Sequence, residues 1–522
     1  MVKIQFYDTT LRDGSQAEGI NFSLQDKIAL AQRLDALGFD FVEGGYPASN
    51  EKDTQFFQEI GKKTLISTKI SAFGMTRRRG TKAADDAGLQ SLILANTPYI
   101  TIVGKSSAFQ AVEIIRASRE ENLEMIRDTV AFFVANGRKV IFDAEHFFDG
   151  WKDDAEYSLA TLTAAVEAGA ELVALCDTNG GSMPDEIGEA VRQAVAAVNA
   201  RGGNAGIGIH THNDCGLAVA NAIAAVDAGA THVQGTINGF GERCGNADLI
   251  QIAAILVLKK TGYDVLRPDS IAQLTDLARF VYEMVNVPIS KRQPFVGKSA
   301  FAHKGGMHVS GIHRSSNAYE HIDPERVGNE RRVLVSELSG RSNIVALTEK
   351  HKIAQDAKLQ QAILAEVVIR ESKGYQYELA EGSFNILVKR LAGNFKPHFE
   401  KLHYRVNIES DDVGAMLSEA TVKIRVDDNI RHEVAEGDGP VDALNLAMHK
   451  ALDPFYPSLA EVRLIDYKVR VIDSDAGTGA QVRVVIESTD GHDTWGTVGV
   501  SENIVEASWE AIADSFEYKL NR

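Results

Sequence analysis

The chain has 522 residues, of which 44% are hydrophobic and 24% charged, and this length predicts two or three domains because it exceeds what one hydrophobic core usually holds. The composition excludes the collagen-like, disordered and disulfide-scaffold classes, and the net charge of −17 argues against a nucleic-acid or acidic-membrane partner. The cysteines form no CxxC pair and no apolar run reaches the length of a membrane span, so we expect a protein of the reducing cytoplasm.

The first half of the chain repeats a unit made of a helix ending in glycine, a short apolar strand and a polar loop. Gly38, Gly169 and Gly229 end three of these helices, where a left-handed residue is needed. The apolar runs predict eight buried parallel strands, near residues 4–7, 41–43, 69–72, 99–103, 139–142, 172–175, 206–209 and 232–235. Eight such units in about 250 residues predict a TIM (β/α)8 barrel over residues 1–275. The lack of GxGxxG after the first strand argues against a doubly wound open sheet.

The pattern changes after the barrel. Residues 276–381 read as a mostly helical linker, broken by polar and glycine-rich segments, and residues 382–522 as an α+β domain. We predict strands in FNILVKRL, LHYRVNIES, ATVKIRV, EVRLIDYKVRVI and AQVRVVIES. ATVKIRV, a hairpin and a helix are echoed by AQVRVVIES, a hairpin and a helix, which predicts two pseudo-symmetric ββα units with a crevice between them.

Polar residues follow several of the predicted barrel strands, at the edge where barrel enzymes carry their active sites. His210 and His212 are two apart on a strand, so both imidazoles face one side and can chelate one metal, although a structural pair is the alternative. Asp13 and Asn246 meet beside them if the barrel closes. Two imidazoles, a carboxylate and an amide oxygen suit Mn²⁺, Mg²⁺ or Zn²⁺ in an open site, and the lack of a thiolate set argues against structural zinc.

Other side chains at this edge suggest substrate chemistry. Arg12 precedes Asp13 and is placed to hold a developing oxyanion, although a plain salt bridge is the commoner role of a buried arginine. Glu145 and Asp143 end the fifth strand, and Thr178 follows the sixth. These groups can bind a keto acid or its attacking water, or Thr178 can simply cap a helix.

Three motifs carry a family resemblance. YDTTLRDG, HTHND and GERCGNA, in this order on a barrel, resemble the DRE-TIM metallolyase superfamily, and nearly the whole chain resembles its Claisen-condensing branch of isopropylmalate, homocitrate and citramalate synthases. EGGYPASNEKDTQFF, SAFGMTRRR and IFDAEHFFDG are most similar to the citramalate-forming members. One departure is Ser15, where many relatives have glutamate in RDGEQ.

The resemblance implies roles for individual positions. Metal ligands would be Asp13, His210, His212 and Asn246; substrate contacts would be Arg12, Gln16 and Thr178; catalytic groups would be Arg12, Glu145, His308 and Tyr319. His308 and Tyr319 would reach over the barrel mouth of the neighbouring subunit, which makes a homodimer necessary for activity. Without the resemblance, His308 reads as a solvated loop histidine.

The implied reaction is the metal-dependent condensation of acetyl-CoA with pyruvate, followed by hydrolysis to (R)-citramalate and CoA. The candidate for the proton-transfer group is His308, with Tyr319 or Glu145 nearby, and the sequence leaves open which of the three is the base. The C-terminal repeat resembles an allosteric domain, with isoleucine as the expected effector, unless it only dimerises. The run Arg77, Arg78 and Arg79 can contact CoA phosphates or form a solvated face.

Three alternatives remain open from the sequence. Isopropylmalate or homocitrate synthases share the chemistry and differ in the 2-oxo acid. Hydroxymethylglutaryl-CoA lyase is disfavoured because such enzymes lack the long C-terminal repeat. A non-catalytic amino-acid-sensing protein is suggested by Ser15 but opposed by the complete set of four metal ligands.

Overall fold

The computed structural model describes residues 1–47, 49–200, 205–334, 356–410, 416–472 and 479–522. They form two compact units. The first consists of Met1–Phe301 with Ile322–Glu330, and the second of Ala302–His321 with Arg331–Arg522.

Eight parallel strands of the first unit close into a barrel, as the sequence predicted. They are β1 Gln5–Asp8, β2 Phe41–Glu43, β3 Lys69–Met75, β4 Tyr99–Lys105, β5 Lys139–Glu145, β6 Leu172–Asp177, β7 Gly206–Thr211 and β8 His232–Gly235. The ring closes because β1 pairs with β8 as well as with β2. The loops after β1 and β8 therefore lie side by side.

Most barrel strands run further than their apolar residues indicated. β5 continues to Glu145, β6 to Asp177 and β7 to Thr211. The backbone ladder tolerates polar side chains where they line a barrel mouth, so a strand does not end at its first polar residue. Asp143 and His210 consequently stand on strands, which hold them more rigidly than loops would.

Helices surround the barrel. They are α1 Leu24–Leu37, α2 Glu51–Ile60, α3 Ala87–Leu94, α4 Arg119–Ala135, α5 Phe147–Asp153, α6 Ala155–Glu167, α7 Pro184–Ala200, α8 Ala218–Asp227, α9 Leu249–Leu258 and α10 Leu274–Met284. Ser23 begins α1 with a capping box, and Gly38 ends it with φ of 87°. Gly169 and Gly229 also have positive φ, of 104° and 116°, as expected for glycines after helices.

The barrel interior is filled at one end by an apolar cluster. Tyr7, Phe41, Tyr99 and Leu172 belong to it, and the last three are the first residues of their strands. The carboxyl ends are left to polar side chains, which places the site at that end.

The second unit contains helices, a parallel pair of short strands, Ala302–His303 and Arg332–Val333, and two three-stranded sheets. Its helices are α11 Gly306–Arg314, α12 Ala357–Ser372 and α13 Glu381–Leu391. One antiparallel sheet has the strands Glu400–Ser410, Met416–Val426 and Asn429–Gly437, followed by α14 Pro440–Leu452; the other has Arg463–Val471, Val482–Thr489 and Thr494–Ser501, followed by α15 Ile504–Leu520. The predicted pair of ββα units is present, each preceded by one further strand. Within the described residues, none of the helices combines the length and apolar character needed to cross a bilayer.

One predicted strand of the second unit is wrong. FNILVKRL lies in α13 instead of a strand. Phe384, Leu387 and Val388 are buried at spacings of three and four residues, which is one face of a helix. A short apolar run satisfies either periodicity, and tertiary packing selected the helix.

Candidate metal centre and active site

The four predicted metal ligands come together at the carboxyl ends of the barrel strands. Asp13 lies after β1, His210 on β7 and His212 immediately beyond it. Asp13 Oδ2 is 3.1 Å from His210 Nε2, and the two imidazole rings are 5.2 Å apart. One potential ligand atom from each of these three residues lies within 4.8 Å of the others. The closure of the barrel produces this arrangement, as the motif spacing indicated.

Asn246 joins the cluster through a backbone bridge to His212. The Asn246 Nδ2 donates a hydrogen bond to the Phe240 carbonyl at 3.2 Å. Its Oδ1 and the Nδ1 of His212 are buried without a hydrogen-bond partner among the described residues. Buried acceptors of this kind need a partner, and nitrogen and oxygen atoms suit a divalent cation. The residues therefore fit the metal that the sequence predicted.

A pair of side chains behind His210 holds its ring. His210 Nδ1 donates to Gln234 Oε1 at 2.8 Å, and Gln234 Nε2 donates to Asp143 Oδ1 at 2.8 Å. Because the amide nitrogen is committed to Asp143, the amide oxygen must accept from His210. This fixes the imidazole tautomer and leaves Nε2 facing Asp13.

Arg12 is held beside the ligand Asp13 on three sides. Its Nε donates to Glu43, its Nη1 is 3.4 Å from Asp13 Oδ1, and its guanidinium lies over Phe73, 3.9 Å from the ring centre. Glu43 is fully buried and also accepts from the hydroxyls of Tyr7 and Thr9. The guanidinium is thus fixed before any substrate arrives.

Burial and neighbouring charges shift the acid–base behaviour of these groups. Burial alone would raise the pKa of Asp13, but the charge of Arg12 and the hydrogen bond from His210 hold it well below its usual value. Burial acts to lower the pKa of His210, but the hydrogen bond to Asp13 outweighs it and raises that pKa to about 9. The pKa of His212 is lowered to about 4 by burial and by the charge of His210. Burial and the charge of Glu43 raise the pKa of Asp143 to about 7.

A cavity of about 290 Å³ opens beside the ligands. The predicted residues that line it are Arg12, Asp13, Gln16, Glu145, Thr178, His210 and His212. Glu145 forms an ion pair with Lys105 at its wall.

Thr178 lines this cavity. Its Oγ1 accepts a hydrogen bond from the backbone N–H of His146 at 2.8 Å, and His146 has a left-handed φ of 57°. Because the oxygen already accepts, its proton is free to be donated to a ligand. The helix-cap alternative does not hold, because the next helix begins at Pro184.

The departure at Ser15 has a local explanation. The Ser15 hydroxyl donates to the Arg12 carbonyl at 2.6 Å and so fastens the turn that carries Asp13. It leaves the four candidate metal ligands in place.

His308 and Tyr319 lie in the second unit. Their rings stack with centres 4.0 Å apart, and both side chains are exposed. A side chain at Gly311 would collide with the Tyr319 ring, since a Cβ there would lie 2.5 Å from it. The two predicted residues therefore form one structural pair.

Sequence reasoning missed three residues of the site: Glu43, Gln234 and Lys105. Each is a polar residue at or next to the carboxyl end of a barrel strand, and this signal could have identified all three. Their partners depend on strand register, which the motifs do not reveal.

Comparisons with known proteins agree with this geometry. Residues 3–281 match the HMGL-like family, residues 295–372 the homocitrate synthase post-HMGL domain-like family, and residues 378–520 the LeuA allosteric (dimerisation) domain.

Relatives that align over nearly the whole chain show to which branch of the family it belongs. The (R)-citramalate synthase of Geobacter sulfurreducens is 50% identical, over 100% of this chain and 98% of that protein. That of Aquifex aeolicus is 49% identical, over 99% of this chain and 98% of that protein. A probable 2-isopropylmalate synthase of Methanopyrus kandleri is 30% identical, over 98% of this chain and 97% of that protein. The chain belongs to the HMGL-like family of enzymes and, within it, to the (R)-citramalate synthases.

Proposed function

We propose that this enzyme condenses acetyl-CoA with pyruvate and hydrolyses the product thioester to (R)-citramalate and CoA, as a step of isoleucine biosynthesis. The observation that carries the proposal is the convergence of Asp13, His210, His212 and Asn246 beside a fixed arginine. High identity over the full chain to named citramalate synthases supports the choice of product. A barrel that had lost its catalytic activity and served only as an amino-acid sensor would not need these four side chains.

The four residues would hold a divalent ion, for which we propose Mn²⁺ or Mg²⁺, with Zn²⁺ as the alternative. When bound, such an ion would polarise the carbonyl group of the 2-oxo acid as a Lewis acid. Asp13 supplies an ionised carboxylate, because its pKa is held low. Gln234 keeps the Nε2 of His210 directed into the site.

Arg12 would stabilise the negative charge that develops on oxygen during the condensation. A donor fixed in advance stabilises this charge without reorganisation, and Glu43 and Phe73 fix this one. Thr178 would donate its hydroxyl proton to the carboxylate of pyruvate, and Gln16 would contact the substrate from the same wall.

A base must take a proton from the acetyl methyl group, which is a weak acid next to a thioester. The new carbon–carbon bond then joins this carbon to the keto carbon of pyruvate, and water later releases CoA as the thiol. Our candidates for the base are Glu145, which lines the cavity, and His308 with its stacked partner Tyr319. We propose that His308 and Tyr319 serve the barrel of the partner subunit in a homodimer.

For the C-terminal domain we propose feedback inhibition by isoleucine bound between its two ββα units. The match to an allosteric (dimerisation) domain supports both an effector and a dimer. Ile363 of α12 shares a core with Phe384 of α13 and with Val498. Removing the domain would expose this core, so the effector is best tested on the intact chain.

The decisive experiment measures thiol release from acetyl-CoA by the purified enzyme with Mn²⁺. Pyruvate, 2-oxoisovalerate, 2-oxobutyrate and 2-oxoglutarate are compared, each with and without isoleucine, and a chelated sample is the control. Activity mainly with pyruvate, lost on chelation and lowered by isoleucine, is the expected result. A preference for 2-oxoisovalerate would retain the chemistry and overturn the substrate, and no release with any acid would overturn the reaction.

A further inference from the structure

Arg243 has a strained backbone conformation beside the metal cavity. It lines that cavity and precedes the candidate ligand Asn246 by three residues, in the loop after β8. Its φ is 56°, in the left-handed region that residues with a side chain avoid. The position is the second of a tight turn, closed by a hydrogen bond of 2.9 Å from the Gly245 N–H to the Glu242 carbonyl. Glycine would adopt this φ without strain, so the presence of arginine indicates a role for its side chain.

The guanidinium group of Arg243 links the loops that follow three consecutive barrel strands. Its Nε donates to Asp214 Oδ1 at 2.8 Å and its Nη2 to Asp214 Oδ2 at 2.9 Å, which is a bidentate ion pair with the loop after β7. The same Nη2 donates to the Thr178 carbonyl at 2.8 Å, in the loop after β6. Arg243 itself belongs to the loop after β8. A lysine lacks the fork of donors that makes these three contacts together.

The Asp214 carboxylate can occupy its position only because a glycine faces it. Gly180 follows β6 with a φ of 63°, and a Cβ at this residue would lie 2.4 Å from Asp214 Oδ2. The Gly180 carbonyl also accepts a hydrogen bond from the Cys215 N–H at 3.2 Å. The loops after β6 and β7 are therefore packed against each other at the ion pair, and Arg243 joins the third loop to them.

The ion pair lies just beyond the short backbone ladder that carries two candidate ligands. His212 and Asn246 form an antiparallel backbone bridge. A hydrogen bond of 2.8 Å joins the residues next to them, from the Asn213 N–H to the Gly245 carbonyl. By holding the two segments together at this end, Arg243 fixes the spacing between the side chains of His212 and Asn246.

We propose that Arg243 is a positioning residue of the metal centre, which holds Asn246 beside His212 through its ion pair with Asp214. The inference rests on the proposed function, since it concerns the candidate ligands of the metal. The side chains of Arg243 and Asp214 are both in contact with water, and such an ion pair adds little to the free energy of unfolding. Its effect should therefore be seen in the affinity for the metal and not in the stability of the metal-free chain.

The direction of the effect distinguishes positioning from a simple effect of charge. A guanidinium on the wall of the cavity repels a divalent cation, so removing its charge would by itself strengthen the binding of Mn²⁺. Loss of positioning weakens binding instead, commonly by about 10–100-fold when a residue that supports a ligand is removed. A weaker affinity in a variant of Arg243 can thus be assigned to the lost contacts.

The test is calorimetric titration of the full-length, metal-free enzyme with Mn²⁺, together with urea unfolding of the same samples. Arg243→Gly removes the ion pair and relieves the strained φ, so it should bind Mn²⁺ about tenfold more weakly while its urea midpoint stays close to that of the control. Arg116→Gly is the matched control, because Arg116 has a φ of 57°, is exposed and does not line the metal cavity. Its affinity for Mn²⁺ should stay within twofold of that of the unaltered enzyme.

Arg243→Lys is the second variant, because it keeps the charge and loses the forked contacts, and it should also bind Mn²⁺ more weakly. Unchanged or stronger binding in either variant of Arg243 would overturn the proposal. An equal loss of affinity in Arg116→Gly would overturn it too, as would a urea midpoint of Arg243→Gly well below that of the control. Failure of the proposed function looks different: the unaltered enzyme would then bind no Mn²⁺, and the inference would fall with the metal centre.

Discussion

Gln234 offers a sharp test of how the metal centre is built. The variant Gln234→Leu keeps most of the volume and removes both polar atoms. In the unaltered chain the Nδ1–H of His210 and the carboxyl of Asp143 each lie 2.8 Å from a polar atom of Gln234. The variant leaves both groups buried without a partner. Each unpaired buried group costs about 1–3 kcal/mol, so the free energy of unfolding should fall by about 2–6 kcal/mol. Loss of the support behind a histidine ligand commonly weakens metal binding by about 10–100-fold.

Two measurements on the same samples separate these effects: urea unfolding and calorimetric titration with Mn²⁺. Thr68→Val is the control, because Thr68 is also buried but precedes β3 at the amino-terminal end of the barrel, where its hydroxyl donates to the Phe39 carbonyl at 2.6 Å. It should lose stability but keep its Mn²⁺ affinity. Affinities for Mn²⁺ that agree within twofold in the two variants would refute the role of Gln234 in holding His210.

Four further outcomes follow from the structure. Burial raises the pKa of Asp8 to about 7, so between about pH 4 and 7 the folded chain keeps a proton that the unfolded chain has released. The contribution of Asp8 to the free energy of unfolding therefore falls as the pH rises, by up to about 1.4 kcal/mol per pH unit. Asp8→Asn should remove this pH dependence, as measured by urea unfolding. His210, with its pKa raised to about 9, is protonated at pH 7.5, so Mn²⁺ binding should release about one proton, seen as buffer-dependent heat in calorimetry. Thr178→Val should raise KM for pyruvate about tenfold while Thr178→Ser stays near the unaltered enzyme, and equal values would count against the hydroxyl contact. Asp13→Ala and His308→Ala should each be inactive, yet a mixture of the two after subunit exchange should recover about a quarter of the activity; no recovery would contradict sharing of sites between subunits.

The clustering of the four candidate metal ligands could be predicted from the sequence because their geometry follows from topology. Strand neighbours in a closed barrel are fixed by chain order, so Asp13 after β1 and Asn246 after β8 had to lie beside His210 on β7. No side-chain contact was needed for this deduction, only the strand count and the positions of polar residues. The same reasoning placed Thr178 and Glu145 on the cavity wall.

The residues that support the ligands could not be predicted in this way. Glu43 and Gln234 act through contacts with Arg12 and His210, and such contacts depend on strand register and on rotamers. A short sequence motif indicates neither the strand register nor the rotamers. Likewise the stacking of His308 on Tyr319 depends on Gly311, whose missing side chain makes room for the ring, and no sequence motif indicates this contact.

The buried carboxyl groups at the barrel mouth explain why a cation belongs there. Asp8, Asp13, Glu43 and Asp143 are all buried, and the guanidinium of Arg12 contacts two of them. The negative charges of these carboxylates lie close together and out of contact with water. Burial, and after it the charge of Glu43, raises the pKa values of Asp8 and Asp143 to about 7. A divalent ion bound at Asp13 would replace the proton of His210 and lower the pKa of each neighbouring carboxyl. Metal binding, proton release and stability of the barrel are therefore linked, and a variant that changes the metal affinity of this site should also change the number of protons released and the stability that the bound metal adds.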